Sequence, residues 1–242
     1  MQILGIIPAR YSSSRLPGKP LIRIKGKSLI ETVYSRVSNA RLLSKVVVAT
    51  DDLRIYDHVK SFGGEVVMTK TEHKTGTDRC AEAASKFENM EIVVNIQGDE
   101  PLIRGSQIDA LIQYLLDNPT LQIATLAKKI GDTTTIFDPN SVKVVFNKVN
   151  EALYFSRSPI PFLRDTPKEQ WLEKGQFFKH IGIYAYRQST LQILSQLSQT
   201  TLEKYESLEQ LRWLENRYTI GLNFTNLETR GIDTLDDLEK MI

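Results

Sequence analysis

Gln2-Ile3-Leu4-Gly5-Ile6-Ile7-Pro8-Ala9-Arg10 opens the chain and sets its fold class. Residues 2–7 form a short apolar run rich in β-branched side chains, the pattern of a buried strand, and Pro8 ends it. Ser12, Ser13, Ser14, Pro17, Gly18 and Pro20 follow, which is loop chemistry, and among them stand the cations Arg10, Arg15 and Lys19. Ser28 and Glu31 then have the spacing of a capping box. Ile30, Val33, Tyr34 and Val37 share one face of the helix it would open.

This strand–loop–helix unit recurs. Residues 46–49 predict a strand, Asp52 a cap for a helix running to Phe62, and Gly63-Gly64 its stop. Residues 65–68 predict a strand, Thr75 and Asp78 the start of a helix, 92–96 a strand and 108–116 a helix. Strands alternating with helices imply an α/β fold with a parallel sheet covered on both faces. Ligands bind such sheets at the carboxyl ends of the strands, so loops 8–19, 50–52, 69–79 and 97–101 are expected on one rim.

After about residue 120 the pattern turns β-rich. Strands are expected at 121–127, 142–146 and 152–155, with a hairpin turn at 147–151 and an irregular stretch at 158–179. A strand at 178–186, helices near 188–197 and 208–216, a strand at 220–224 and a last helix from Leu235 follow. No internal repeat or Gly/Ser linker interrupts the chain. It is expected to form a single domain over 1–242, the second half elaborating the first.

Composition narrows the function. With 41% apolar and 25% charged residues among 242, the chain is globular in class, and disordered or fibrous architectures are excluded. A net charge of +2 gives no sign of a dedicated nucleic-acid binder. The one cysteine, Cys80, can form neither an intramolecular disulfide nor a thiolate zinc site alone. His58, His73 and His180 have no metal-ligand spacing. No apolar run reaches the ~18 residues of a membrane span, and the N-terminus lacks the basic region of a signal peptide. A soluble protein of a reducing cytoplasm, without a membrane partner, is the expectation.

The loops carry the chemistry. Arg10, Arg15 and Lys19, set among small residues, suit a polyphosphate. The loop is no Walker A motif, because Ser13 stands where the first glycine belongs, and no G-x-G-x-x-G turn follows the first strand. Asp99 and Glu100 end a strand. Asp233 follows Gly231-Ile232 before the expected last helix. Alone, Glu100 reads as a solvated acid and Asp233 as a helix-start acid. Paired, Asp99 and Asp233 could hold Mg²⁺ through oxygen ligands.

Several segments together resemble the sugar-activating cytidylyltransferases, most nearly the 3-deoxy-manno-octulosonate (Kdo) cytidylyltransferase family. They are residues 8–21, Ala49-Thr-Asp-Asp52, His73-Lys-Thr-Gly-Thr-Asp-Arg79 and Asn95-Ile-Gln-Gly-Asp-Glu-Pro101. Ser156-Arg-Ser-Pro-Ile-Pro161, His180-Ile-Gly-Ile-Tyr-Ala-Tyr186, residues 208–215 and residues 232–238 continue the likeness in order. Where the family often reads Ser-Gly-Thr, this chain has Thr75-Gly76-Thr77, which keeps a hydroxyl.

The resemblance implies a glycosyltransferase-A-like, Rossmann-like three-layer fold, with a nucleotide-binding half over 1–120 and a sugar-binding and dimerisation half over 121–242. It implies that CTP and Kdo give CMP-Kdo and pyrophosphate with Mg²⁺, in a cytoplasmic homodimer supplying lipopolysaccharide synthesis. By position, Arg10, Ser13, Arg15 and Lys19 correspond to the triphosphate site. Thr75, Gly76, Arg79 and Gln97 correspond to nucleotide contacts. Asp99 and Asp233 correspond to metal ligands, which with Lys19 and Arg15 form the catalytic set. Arg157, His180, Tyr184, Glu209 and Gln210 correspond to the sugar-acid pocket.

The residues themselves admit other roles. Arg157 has the setting of a surface arginine, His180 lies between Ile181 and Ile183 as a core histidine would, Tyr184 fits a strand core, and Ser207-x-x-Gln210 is itself a capping-box pattern. An 8-amino analogue of Kdo, or a non-catalytic nucleotide-binding protein of the same fold, remains an alternative at this point.

Overall fold

A computed structural model of the chain describes residues 1–12, 16–229, 231–232 and 237. A nine-stranded sheet runs through both halves of the sequence. β1 (Gln2–Ala9) is an interior strand of it, third from the β5 edge, and β2 (Arg23–Ile24) and β3 (Lys27–Ser28) form a separate antiparallel flap. β4 (Lys45–Thr50) and β6 (Met90–Asn95) flank β1 in parallel, and β5 (Val66–Met68) continues the sheet beyond β4.

Alternation along β1 shows why it is an interior strand. Ile3 and Ile7 join a core with Val33, Ile55 and Ile108 from α1 (Leu29–Val37), α2 (Leu53–Ser61) and α4 (Gly105–Asp117). Leu4 and Ile6 point the other way. They join Cys80, Leu191 and Trp213 from α3 (Gly76–Ser85), α7 (Gln188–Leu194) and α9 (Gln210–Glu215). The fold is thus the expected three-layer α/β arrangement. Caps fix the helix starts: Ser28 accepts from Glu31 N, Asp52 from Arg54 N, and Thr75 and Asp78 cap α3 reciprocally.

The second half adds β7 (Ile123–Lys129), β10 (Phe178–Arg187) and β11 (Ile220–Phe224). β10 lies between β6 and β7, antiparallel to both. Only Tyr184 to Arg187 pair with β6, so residues 178–183 run past its carboxyl end. There they pair with β7 across a bulge between Ile181 and Tyr184. The hairpin of β8 (Lys143–Phe146) and β9 (Ala152–Ser156) joins the overhang at Lys179.

Three short helices fall where the sequence suggests loops: α5 (Thr133–Phe137), α6 (Trp171–Lys174) and α8 (Thr201–Glu206). At five, four and six residues they are too short to show a helical period. The expected capping by Ser207 does not occur. Ser207 adopts a left-handed conformation (φ 51°) as the C-cap of α8, and Glu209 takes the N-cap position of α9 without a side-chain bond. The helix expected from Leu235 lies, apart from Asp237, outside the described residues.

Ser28 does more than cap α1, because its hydroxyl also lies 2.7 Å from His58 Nε2 on α2. Ser28→Ala is therefore expected to lower the unfolding free energy by about 1–2 kcal/mol, measured by urea denaturation.

Candidate active site

Hydrogen bonds join the rim loops. Arg10 Nη2 donates to Lys74 O at 2.6 Å. Lys19 Nζ lies 2.6 Å from Asp99 Oδ2 and 2.7 Å from Ile232 O, and Ile232 N donates to Asp99 O at 2.9 Å. Arg79 Nη2 reaches Asp51 Oδ2 at 2.6 Å, and its Nη1 reaches Thr69 Oγ1 at 2.5 Å. Gly98 lets its loop lie close against the end of β1, since a Cβ there would stand 2.9 Å from Pro8 O.

Beside this junction a cavity of about 890 Å³ opens under the β10 overhang. Asp99, Glu100, Lys179, His180 and Gly182 line one side, and Asp138, Asn140, Ser141 and Val142 another. Burial, with the charge of Asp99 added, pushes the Glu100 carboxyl up to about 8. The solvated acid read from sequence is instead a half-buried carboxyl on the cavity wall. Burial also holds His180 down to about 3, so the ring is neutral near pH 7. Thr125 Oγ1 lies 2.7 Å from Ile183 O and 2.9 Å from His180 Nε2. A hydroxyl that donates to the carbonyl must accept from the ring, which puts the imidazole proton on Nε2.

The other expected site residues divide. Lys19 and Asp99 meet, and Arg10 stands on the same rim. Gly76, at the start of α3, lies against Pro8, and Gln97 against Gly182. Arg79 turns inward: it is wholly buried and braces Asp51 and Thr69 beneath the rim. Arg157 donates to the carbonyls of Glu206, Pro139 and Ser207 and does not line the cavity. Tyr184 packs between His180 and Trp213, tilted 48° to the first ring at 5.3 Å and edge-on to the second at 5.0 Å. Glu209 accepts from Thr77 Oγ1 at 2.8 Å and, with Thr75, lines a second hollow, while Gln210 is buried. The expected sugar residues are therefore split, with His180 on the large cavity and Glu209 on the smaller hollow. Ser13, Arg15 and Asp233 lie outside the described residues.

A sequence-family model for cytidylyltransferases matches residues 4–220. The 3-deoxy-manno-octulosonate cytidylyltransferase of Parabacteroides distasonis is 52% identical, covering 100% of this chain and 97% of that protein. The chain belongs to the cytidylyltransferase family. The corresponding protein of Cytophaga hutchinsonii is 51% identical over 98% of this chain and 95% of its own. The solved structure of a CMP:2-keto-3-deoxy-manno-octonic acid synthetase complexed with CTP matches with a TM-score of 0.92 at 45% identity, covering 99% of this chain and 96% of that one. The 4-diphosphocytidyl-2C-methyl-D-erythritol synthase of Anaerococcus prevotii, 15% identical over 99% and 96% of the two chains with a TM-score of 0.63, shares the fold alone.

Cytidylyltransferases generally use a divalent metal, and the residues here fit one. The Lys19 ammonium shows that a cation is stabilised between Asp99 Oδ2 and Ile232 O. Both are hard oxygen donors, and Asp233 is next in sequence to Ile232. Among the described residues, no group of three or more His, Cys, Asp or Glu could hold a metal. Sequence reasoning missed Lys179 and the 138–142 turn, although a lysine at the start of an apolar strand was a readable signal.

His180 gives this cytidylyltransferase an acid-sensitive element. Its folded value, about 3, lies below the ordinary 6.5, so unfolding takes up a proton. Its stabilising contribution is complete above pH 6.5 and declines as the pH falls toward 3. His180→Gln is expected to flatten the decline by up to about 1.4 kcal/mol per pH unit. Denaturant midpoints between pH 4 and 7 measure this, and equal slopes for both proteins would refute it.

Proposed function

We propose that the chain transfers CMP from CTP to the anomeric hydroxyl of Kdo, giving CMP-Kdo and pyrophosphate for lipopolysaccharide synthesis. The observation that carries the reading is the junction of Lys19, Asp99 and Ile232 beside a cavity able to hold a sugar acid. In the reaction the sugar oxygen bonds to the α-phosphorus as the bond to the β-phosphate oxygen breaks. The hydroxyl proton passes to solvent.

The protein's part is positioning and charge. Arg10 and Lys19, joined by Arg15 and Ser13 of the same loop, hold the triphosphate and stabilise the leaving pyrophosphate. Thr75, Gly76 and Gln97 face the nucleotide, with Arg79 bracing their loop from below. Neutral His180, its Nε2 proton directed at Thr125, can accept at Nδ1 from a sugar hydroxyl without adding charge. Tyr184 orients that ring, while Arg157, Glu209 and Gln210 shape the ground behind it. Mg²⁺ is the ion that Asp99 and Asp233 would hold, where it would draw charge from the α-phosphate and acidify the attacking hydroxyl. Residues 1–120 serve the nucleotide, and 121–242 the sugar and the dimer contact.

CTP as substrate supports a cytoplasmic setting, and no described helix is long and apolar enough to cross a membrane. Exposed Val149, Leu153 and Tyr205, near an edge strand whose only strand partner among the described residues is β8, support a homodimer. Leu153→Glu is expected to convert it to monomer in light scattering, and an unchanged mass would refute this surface.

Pyrophosphate release with CTP, Mg²⁺ and a panel of sugar acids tests the activity. Kdo should be turned over fastest; preference for its 8-amino analogue would reassign the acceptor, and CTP binding without release from any acid would leave a binding protein. Asp99→Asn is expected to lower kcat by about 100-fold or more while the thermal midpoint stays near that of the parent. Near-normal turnover would remove Asp99 from the metal site.

A further inference from the structure

Lys143 is a charged residue in the middle of an apolar run, and it is wholly buried. Its ammonium has three N–H donors and meets three main-chain carbonyls: Asp138 O at 2.8 Å, Ser141 O at 2.5 Å and Arg157 O at 2.7 Å. The charge is thus fully satisfied without a carboxylate partner. Two of those carbonyls belong to a turn that lines the large cavity.

The other bonds to the turn each hold it at a single point, among them Asp138 N donating to Thr134 O at 3.0 Å. Residues 138–142 lie between α5 and β8 and belong to neither. Pro139 O accepts from Arg157 Nη1 at 3.0 Å, and Val142 O accepts from His180 N at 2.8 Å. Within the turn, Asn140 N donates to Asp138 Oδ1 and Ser141 N to Asp138 O. Among the described residues, Lys143 is the side chain outside the turn that grips it at both its start and its end. Asp138, Asn140 and Ser141 bring to the cavity the hydrogen-bonding groups that a hydroxyl-rich acceptor needs.

Resting on the proposed Kdo-transfer reading, we infer that Lys143 is a positioning residue for the sugar acid: by gathering the carbonyls of Asp138, Ser141 and Arg157 it fixes the 138–142 turn as a wall of the acceptor cavity. The triphosphate junction at Lys19 and Asp99 shares none of these bonds. Loss of the ammonium must therefore weaken sugar binding while CTP binding is kept. A purely structural role would instead lower stability and affect both substrates alike.

The test is steady-state pyrophosphate release with CTP and Kdo. Turnover of Kdo by the parent protein establishes the underlying reading, independently of the variants. Lys143→Met, similar in length and without charge, is expected to raise the Kdo KM by about tenfold or more and to leave the CTP KM within about twofold. Equal rises in both, or no rise in the Kdo KM, would overturn the proposal. Pro139→Gly loosens the same turn at an exposed position and keeps the ammonium, so it decides the matter if Lys143→Met does not fold. It should raise the Kdo KM several-fold with the CTP KM unchanged, and an unaltered Kdo KM would overturn the proposal.

Discussion

A single ammonium holds distant parts of the chain together at the rim of the candidate site. Lys19 follows the first strand, Asp99 lies 80 residues later, and Ile232 lies 213 residues later. Charge-assisted bonds near 2.6 Å are among the stronger polar contacts a protein makes, and here they close very long loops. The parallel order of β1 and β6 makes this possible. Both strands end at the same edge, so the loops leaving them meet without a detour.

The same device recurs where regular structure is absent. Arg10 fastens the Lys74 carbonyl, Lys143 gathers three carbonyls, and Arg157 takes those of Pro139, Glu206 and Ser207. In each case a cationic side chain supplies donors that a helix or strand would otherwise provide. Irregular segments around the site are thus held in defined positions although they lack periodic hydrogen bonding. This division suits a site whose loops must accommodate ligands while the sheet stays fixed.

Much of this was readable before any coordinates. The apolar run of β1 and the caps at Ser28, Asp52 and Thr75 are local signals, and each element stands where its signal lies. The rim motifs resembled a known family, to which the chain belongs. What escaped depends on contacts that sequence spacing cannot express. The resemblance set Arg79 and Arg157 among ligand contacts, and the bonds that Arg79 makes to Asp51 and Thr69 and Arg157 to Glu206 and Pro139 reach across loops that spacing cannot pair. The capping pattern at Ser207 lost to a left-handed turn, which serves the preceding helix. Glu100 looked solvated because nothing local reveals that β10 passes over it.

That passage of β10 separates two kinds of change. Residues 178–183 answer to β7 and β8 but have no partner on β6, whereas Tyr184 onward are locked to it. On the proposed assignment of this overhang to the sugar acid, substitutions in residues 178–183 would change the surroundings of the acceptor and leave the pairing of β1 with β6 untouched. The bulge between Ile181 and Tyr184 is the joint between the two regimes, so a change on one side of it need not disturb the pairing on the other.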